Sequence, residues 1–364
     1  MRKIGLLLFA AICSLAFAKT EIGELQGVPF RIDVPENWNH NLIVYYHGYS
    51  MDPVRYKEGD PDPVLAEFTR RGFAVIQSGY SKTGWAIEQA VPETEALRKY
   101  FIDKYSAPKE TFATGHSMGG FLTVDTIENF PQTYAAGLAL CGALESPPQL
   151  LERAFHYEVV FSYYFPGLVP PPNQIPAGYH PGPEIAKNIE RKLAANPAKA
   201  AAMRQFAKLK TNKEVAGNAA FISFILKDAQ QRSGGNPFSN RDTIYSGSPD
   251  DNRLNEGVKR YDATAPLSYL KANHALAGKL QRPVLAIHTT YDQLVPVEIP
   301  NRYAFLTDVN GSGDMFVQQY VEHDGHCNIS PEEIGKGLDE MLAWTHNHVR
   351  PEGGHLTVPA AAKK

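Results

Sequence analysis

Strands alternate with helices along most of this chain. That alternation predicts an α/β fold, a mostly parallel sheet with helices on its faces. Three observations carry the prediction. Apolar runs of strand length recur, several ending in a Gly-containing turn. Helix start and stop signals fill the segments between them. The residues with chemical potential lie just beyond the ends of the runs, at the edge where an open parallel sheet gathers its ligands.

The elements follow in order. Met1 to Ala18 has a basic start (Arg2, Lys3), an apolar centre and an Ala16-Phe17-Ala18 ending. This is the pattern of a secretory signal peptide cleaved near Ala18, so the mature chain is expected to be secreted or periplasmic. The apolar run is short for a membrane span, and no later stretch is long and apolar enough to cross one. Asn41 to Tyr46 forms a strand that leads into the turn His47-Gly48-Tyr49. Asp62 to Gly72 has an Asp N-cap, Pro63 at the first helical position and Gly at the end. A strand over 72–77 and a helix over 93–105 come next. A β-prone run ends at Gly115, and a segment able to form a helix follows from Phe121 to Phe130. Tyr134 to Cys141 is another strand.

The alternation then stops for about 140 residues, too long for a loop in a compact domain. This stretch is expected to be a mainly helical insertion after the sixth strand, covering 146–279 between two parts of one core, 19–145 and 280–364. Its first part, 155–172, is dense in aromatics and proline, its middle, 183–231, is Ala- and Lys-rich and helical, and its end, 233–251, is rich in turns. The alternation resumes with a buried strand from Gln281 that runs into a loop holding Asp292. A strand over 314–322 leads into His323-Asp324-Gly325-His326-Cys327. Ser330-Pro331-Glu332-Glu333 is a capping box, and Ile334, Leu338, Met341 and Leu342 recur at the spacing of one buried helical face.

With 364 residues, 43% hydrophobic and 21% charged, the chain can bury a large core. A net charge of −3, with no block of like charges, argues against nucleic acid as a partner. The sequence has no nucleotide fingerprint and calls for no cofactor and no metal. His323-x-x-His326 resembles a ligand pair but stands where a catalytic base is needed.

Gly115-His116-Ser117-Met118-Gly119 carries the chemistry. A serine between glycines, on a sharp turn from strand to helix, projects its hydroxyl above the sheet edge beside unpaired helix N–H groups. A serine hydroxyl attacks a carbonyl only if a neutral imidazole takes its proton, and that imidazole needs an acceptor on its other nitrogen. Ser117, Asp292 and His326 occur in that order, each just past a strand end, and are the candidate nucleophile, acid and base. Glu145 is the fallback acid. His323 reads as a strand-end residue and His288 as a core histidine. Cys13 leaves with the signal peptide. Cys141 and Cys327 remain, and in an oxidising compartment they form either a bridge or two buried thiols.

With these residues the chain resembles the α/β-hydrolase superfamily. More narrowly it is similar to secreted bacterial serine hydrolases with a helical lid, feruloyl-esterase-like and tannase-like or tripeptidyl-aminopeptidase-like. The resemblance rests on 36–39 and 46–49, Gly84-Trp85-Ala86, 115–120, 289–292 with Pro296, and 325–327, and covers roughly 22–145 and 280–350. It implies a lid over the site and an oxyanion hole made by the backbone N–H groups of Tyr49 and Met118. It also implies cleavage of a carboxylic ester, in a small and possibly aromatic substrate, through an acyl-enzyme. An aminopeptidase or amidase on the same fold, or a binding protein without catalysis, are the alternatives. His47, Trp85, His116, Tyr163 and Tyr164 are the candidate substrate-binding residues.

Overall fold

A computed structural model of the protein describes residues 18–272 and 275–358. The predicted signal peptide, up to residue 17, lies outside the described residues. Among these, nine strands form one sheet in the order β1-β2-β4-β3-β5-β6-β7-β8-β9. They are β1 (Lys19–Leu25), β2 (Val28–Val34), β3 (Leu42–Tyr46), β4 (Ala74–Ser78), β5 (Thr111–His116), β6 (Ala136–Leu140), β7 (Val284–Tyr291), β8 (Phe316–Asp324) and β9 (Gly354–His355). The pairs β1–β2 and β2–β4 are antiparallel, and every pair from β4 to β9 is parallel.

The period of two along a strand sorts the core into two faces. Leu42, Val44 and Tyr46 of β3 point to one apolar layer with Ala74, Ile76, Val284 and Ala286. Ile43, Val75, Leu285 and Ile287 point to the other. Helices α2 (Ile87–Lys104) and α3 (Met118–Asn129) cover the first layer, and α1 (Pro63–Arg70) and α11 (Pro331–Asn347) cover the second. The punctuation read from the sequence is present. Asp62 caps α1 through the Val64 N–H, and Ser330 and Glu333 close a capping box on α11. One boundary differs: α2 begins at Ile87 and carries Pro92 inside it. Proline resembles a start signal, but burial of Ile87, Ala90 and Val91 holds the preceding turn helical.

Among the described residues, six helices lie between β6 and β7: α4 (Pro147–Tyr164), α5 (Pro183–Ala194), α6 (Pro197–Ala207), α7 (Asn212–Ser233), α8 (Asp251–Gly257) and α9 (Ser268–Ala272). They bury an apolar cluster of their own, which includes Phe155, Phe161, Ile189, Met203, Leu226 and Phe238. The aromatic stretch that begins at Phe155 is the second half of α4, and its rings supply much of that cluster. α7 starts at a Thr211–Glu214 capping box and runs 22 residues, about 33 Å. After β7 the core resumes with α10 (Glu298–Val309). No helix among the described residues is long and apolar enough to cross a membrane.

Candidate active site

Ser117 stands alone between β5 and α3 at φ 58° and ψ −118°, a backbone conformation that costs a non-glycine residue about 1–3 kcal/mol. Its neighbours explain how the chain turns so tightly. A Cβ on Gly119 would overlap the Tyr46 carbonyl oxygen, and one on Gly115 would lie 2.6 Å from the carbonyl oxygen of Gly119. Only glycine lets β3, the turn and the helix approach this closely. The Ser117 N–H donates to the Leu140 carbonyl at 2.9 Å, which anchors the turn to β6.

Asp292 is the first residue after β7, and His326 is two residues beyond the end of β8. The three candidate side chains meet. His326 Nε2 lies 2.8 Å from Ser117 Oγ, and His326 Nδ1 lies 2.6 Å from Asp292 Oδ2. The other carboxylate oxygen, Oδ1, accepts from the N–H groups of Leu294 and Val295, both at 2.8 Å. Burial alone would raise the Asp292 pKa. The hydrogen bond and charge of His326 and the Val295 amide outweigh it and hold the carboxyl below its usual range. The chain has the α/β-hydrolase fold. The strand order with its reversed β2, the serine turn after β5, the acid after β7 and the histidine after β8 are its pattern.

No family model matches the chain, and no curated protein does. Among solved structures it is similar to an esterase from Pyrococcus furiosus at 15% identity, over 94% of this chain and 96% of that one, with a TM-score of 0.48. It is similar to feruloyl esterase B from Aspergillus oryzae at 12% identity, over 89% and 79%, with a TM-score of 0.48. A Mycobacterium tuberculosis puromycin-hydrolyzing peptidase matches at 15% identity, over 95% of this chain and 42% of that one, with a TM-score of 0.46. Likeness this remote says nothing of substrate.

The remaining candidates fall into two groups. The turn after β3 lies against the serine: a Cβ on Gly48 would sit 3.4 Å from Ser117 Cβ. Tyr49 follows directly, and Met118 opens α3, so its N–H has no partner within the helix. Tyr49, Met118 and Trp85 all line a cavity of about 820 Å³ that contains Ser117. His47, His116, Tyr163 and Tyr164 are not among the residues that line it. The His47 ring stacks on Tyr80 at 3.9 Å and donates from Nδ1 to the Gly48 carbonyl. His116 Nδ1 pairs with the Tyr45 hydroxyl at 3.2 Å. Burial pulls both imidazoles down to about 4, so both are neutral packing groups at ordinary pH. Tyr163 and Tyr164 share a face with the cavity-lining His156 and Tyr157 but lie two turns, about 10 Å, further along α4. Tyr163 packs there against Gly257, and its hydroxyl donates to the Arg253 carbonyl.

Three further placements matter. Glu145 is held by Arg153 and Arg302 and is not the partner of His326. His323 pairs with Glu333 at 3.0 Å, away from the serine. His288 is buried as expected, but it also braces the acid loop: its Nε2 donates to the Val295 carbonyl at 2.8 Å, 3.6 Å from Asp292 Oδ2. The sulfurs of Cys141 and Cys327 are bonded, so the histidine loop is tied to the end of β6. Both cysteines have positive φ, 45° and 58°, as the chain turns sharply at each end of the bridge.

The insertion grips the same loops from above. Lys210 pairs with Asp324 at 2.6 Å, the Tyr291 hydroxyl donates to Glu214 at 2.9 Å, and Asn218 donates to the Gln293 carbonyl at 2.7 Å. At the far end of α7, Asp228 accepts from the Trp85 N–H at 2.6 Å and the Tyr49 hydroxyl at 3.5 Å. Arg232 pairs with Asp228 and donates to the Thr83 carbonyl. Nothing local in the sequence marks these residues, because every partner lies in a distant segment.

Proposed function

We propose that the chain is a serine hydrolase that cleaves a carboxylic ester through an acyl-enzyme. The observation that carries this reading is the unbroken hydrogen-bond line from Ser117 through His326 to Asp292, with the serine held in the strained turn. Ser117 Oγ attacks the ester carbonyl while His326 Nε2 takes its proton. Asp292 accepts from Nδ1–H and stabilises the imidazolium. The N–H groups of Tyr49 and Met118 receive the oxyanion, and loss of one such donor costs on the order of 100-fold in rate. His326 then returns the proton to the departing alcohol. Water adds to the acyl-enzyme with His326 as base, which releases the acid and restores the serine.

The cavity supports an ester with a sizeable apolar portion. Trp85, Leu294 and Val295 line it from the core, and Tyr157, Leu209 and Phe221 line it from the insertion, which on this reading is the lid. An aminopeptidase needs an unengaged carboxylate for the substrate amine. Glu145 is taken by two arginines, Glu158 is buried within the insertion and Glu184 pairs with Lys187 on the surface, which leaves Glu152, an exposed carboxylate in the cavity lining, as the group an aminopeptidase would use. The disulfide supports export to an oxidising compartment, in keeping with the signal peptide pattern.

A fluorophosphonate probe tests the reading. Labelling of the native chain and its loss in Ser117→Ala are expected, with turnover of p-nitrophenyl esters exceeding that of aminoacyl nitroanilides. An unlabelled native chain refutes it.

A further inference from the structure

One end of the cavity is charged. Glu145, on the turn after β6, has a side chain only 3% exposed and engages two guanidinium groups. Arg153 comes from α4 of the insertion, with Nη2 at 3.2 Å. Arg302 comes from α10 of the core and bonds through Nη1. All three residues line the cavity that holds Ser117. The Ala143 N–H, two residues before Glu145, faces the Ser117 carbonyl at 3.4 Å, which places Glu145 on the same rim as the serine turn.

One carboxylate cannot neutralise two guanidiniums, so a positive charge is left over. The nearby Glu298 pairs with Lys208 at 2.8 Å and also feels the charge of Arg153, so three cations face two carboxylates, Glu145 and Glu298. Glu152 lines the cavity too, but it is exposed and about 100° round the helix from Arg153. The arginine side chains are 41% and 59% exposed. Each guanidinium carries five N–H donors in a planar fork that matches a carboxylate. An ion pair built only for stability has no need of the second arginine, and half-exposed pairs contribute little. Two like charges drawn onto one acid repel each other, and a second anion between them removes that cost. An amine would have to displace both guanidiniums from Glu145.

We propose that Arg153 and Arg302 form a subsite for a carboxylate borne by the substrate, remote from the scissile ester. The substrate class is then a half-ester of a dicarboxylic acid, or an ester of similar charge, with an apolar span between its two ends. This rests on Ser117 as the nucleophile. The anion would bridge core and insertion, since each contributes one arginine.

The test uses matched p-nitrophenyl esters in two series of equal chain length, from four to ten carbons, one ending in methyl and the other in carboxylate. The readout is the ratio of kcat/KM between the two series, which cancels any general loss of activity. A charge-assisted contact predicts a ratio of roughly tenfold or more at the length that reaches the arginines. The ratio falls toward one in Arg302→Gln and in Arg153→Gln, is partly kept in Arg302→Lys, and shrinks with added salt. Methyl-ended esters preferred at every length in the native chain would overturn the proposal, as would a preference that survives both glutamine substitutions. Calorimetric titration of Ser117→Ala with monomethyl suberate and methyl octanoate separates the two layers. Tighter, arginine-dependent binding of the suberate upholds the subsite even if no ester is turned over, and the hydrolase reading then falls alone. Equal binding of the two overturns the subsite.

Discussion

Asp292→Asn is the sharpest test of the proposed chemistry, because the structure dictates how the new amide must sit. Asp292 Oδ1 accepts two main-chain N–H groups at 2.8 Å. An amide NH2 placed there would meet two donors, so the asparagine oxygen has to take that position. Its NH2 is then driven toward His326 Nδ1, where Asp292 Oδ2 now accepts at 2.6 Å. A donor facing Nδ1 makes that nitrogen the acceptor and moves the imidazole proton to Nε2. The proton then points at Ser117 Oγ, 2.8 Å away, and the ring cannot take the hydroxyl proton. Backbone, cavity and oxyanion donors are unchanged. The expected loss in kcat is on the order of 10⁴, with KM little altered. Stopped-flow acylation with p-nitrophenyl butyrate measures it, and thermal melting checks that the fold persists. A variant that keeps more than about a tenth of the native rate, or an equal kcat loss in Glu145→Gln, would refute the assignment of the acid.

Ser117→Ala and His326→Ala should each lower kcat by on the order of 10⁴ or more, and the double variant should be little worse than either, since the pair acts as a unit. His323→Ala should stay near native activity, because that ring faces Glu333; an active His326→Ala beside a dead His323→Ala would reverse the assignment. Reduction of Cys141–Cys327 should lower the melting temperature and the activity together. The closed loop spans 186 positions, for which chain entropy gives about 5 kcal/mol as an upper value. Thiol titration of denatured, unreduced protein checks this, and two free thiols would rule the bridge out. Glu158 is buried in the insertion, and burial pushes its carboxyl well above the usual range, with a partial offset from Ser223. The folded state therefore holds that proton more tightly than the unfolded one. The group's stabilising effect is fully present below pH about 4.3 and is lost as pH rises through the folded value. Glu158→Gln should raise the melting temperature at pH 8 and change it little at pH 4; a drop at pH 8 would contradict the sign.

What the sequence made legible was local. The glycines around Ser117 are required by sterics within a few residues, and the order Ser117, Asp292, His326 past strand ends follows from the rhythm of strand and helix. The disulfide was one of two open outcomes for Cys141 and Cys327, because pairing depends on how the β6 end meets the histidine loop. Side-chain direction was not legible. His116 adjoins the serine in sequence and His47 opens the turn to Tyr49, yet their rings turn to Tyr45 and Tyr80. Tyr163 and Tyr164 share the right helical face but overshoot the cavity. Glu145 looked like a spare acid because its two arginines are 8 and 157 residues away. Pro92 hid the first turn of α2, since burial of that turn outweighs the local signal.

α7 is fastened at both ends. Near its start, Lys210, Glu214 and Asn218 hold the loops that carry Asp292 and His326, and near its end Asp228 and Arg232 hold the Thr83–Trp85 loop and the Tyr49 hydroxyl. An insertion attached this way is not an interchangeable cassette. A chimera that grafts another helical segment between β6 and β7 strips the Trp85 N–H, Tyr291 and Asp324 of their partners, and with them the support for three loops. Recombination in this scaffold has to carry Lys210, Glu214, Asn218, Asp228 and Arg232 across with their counterparts below.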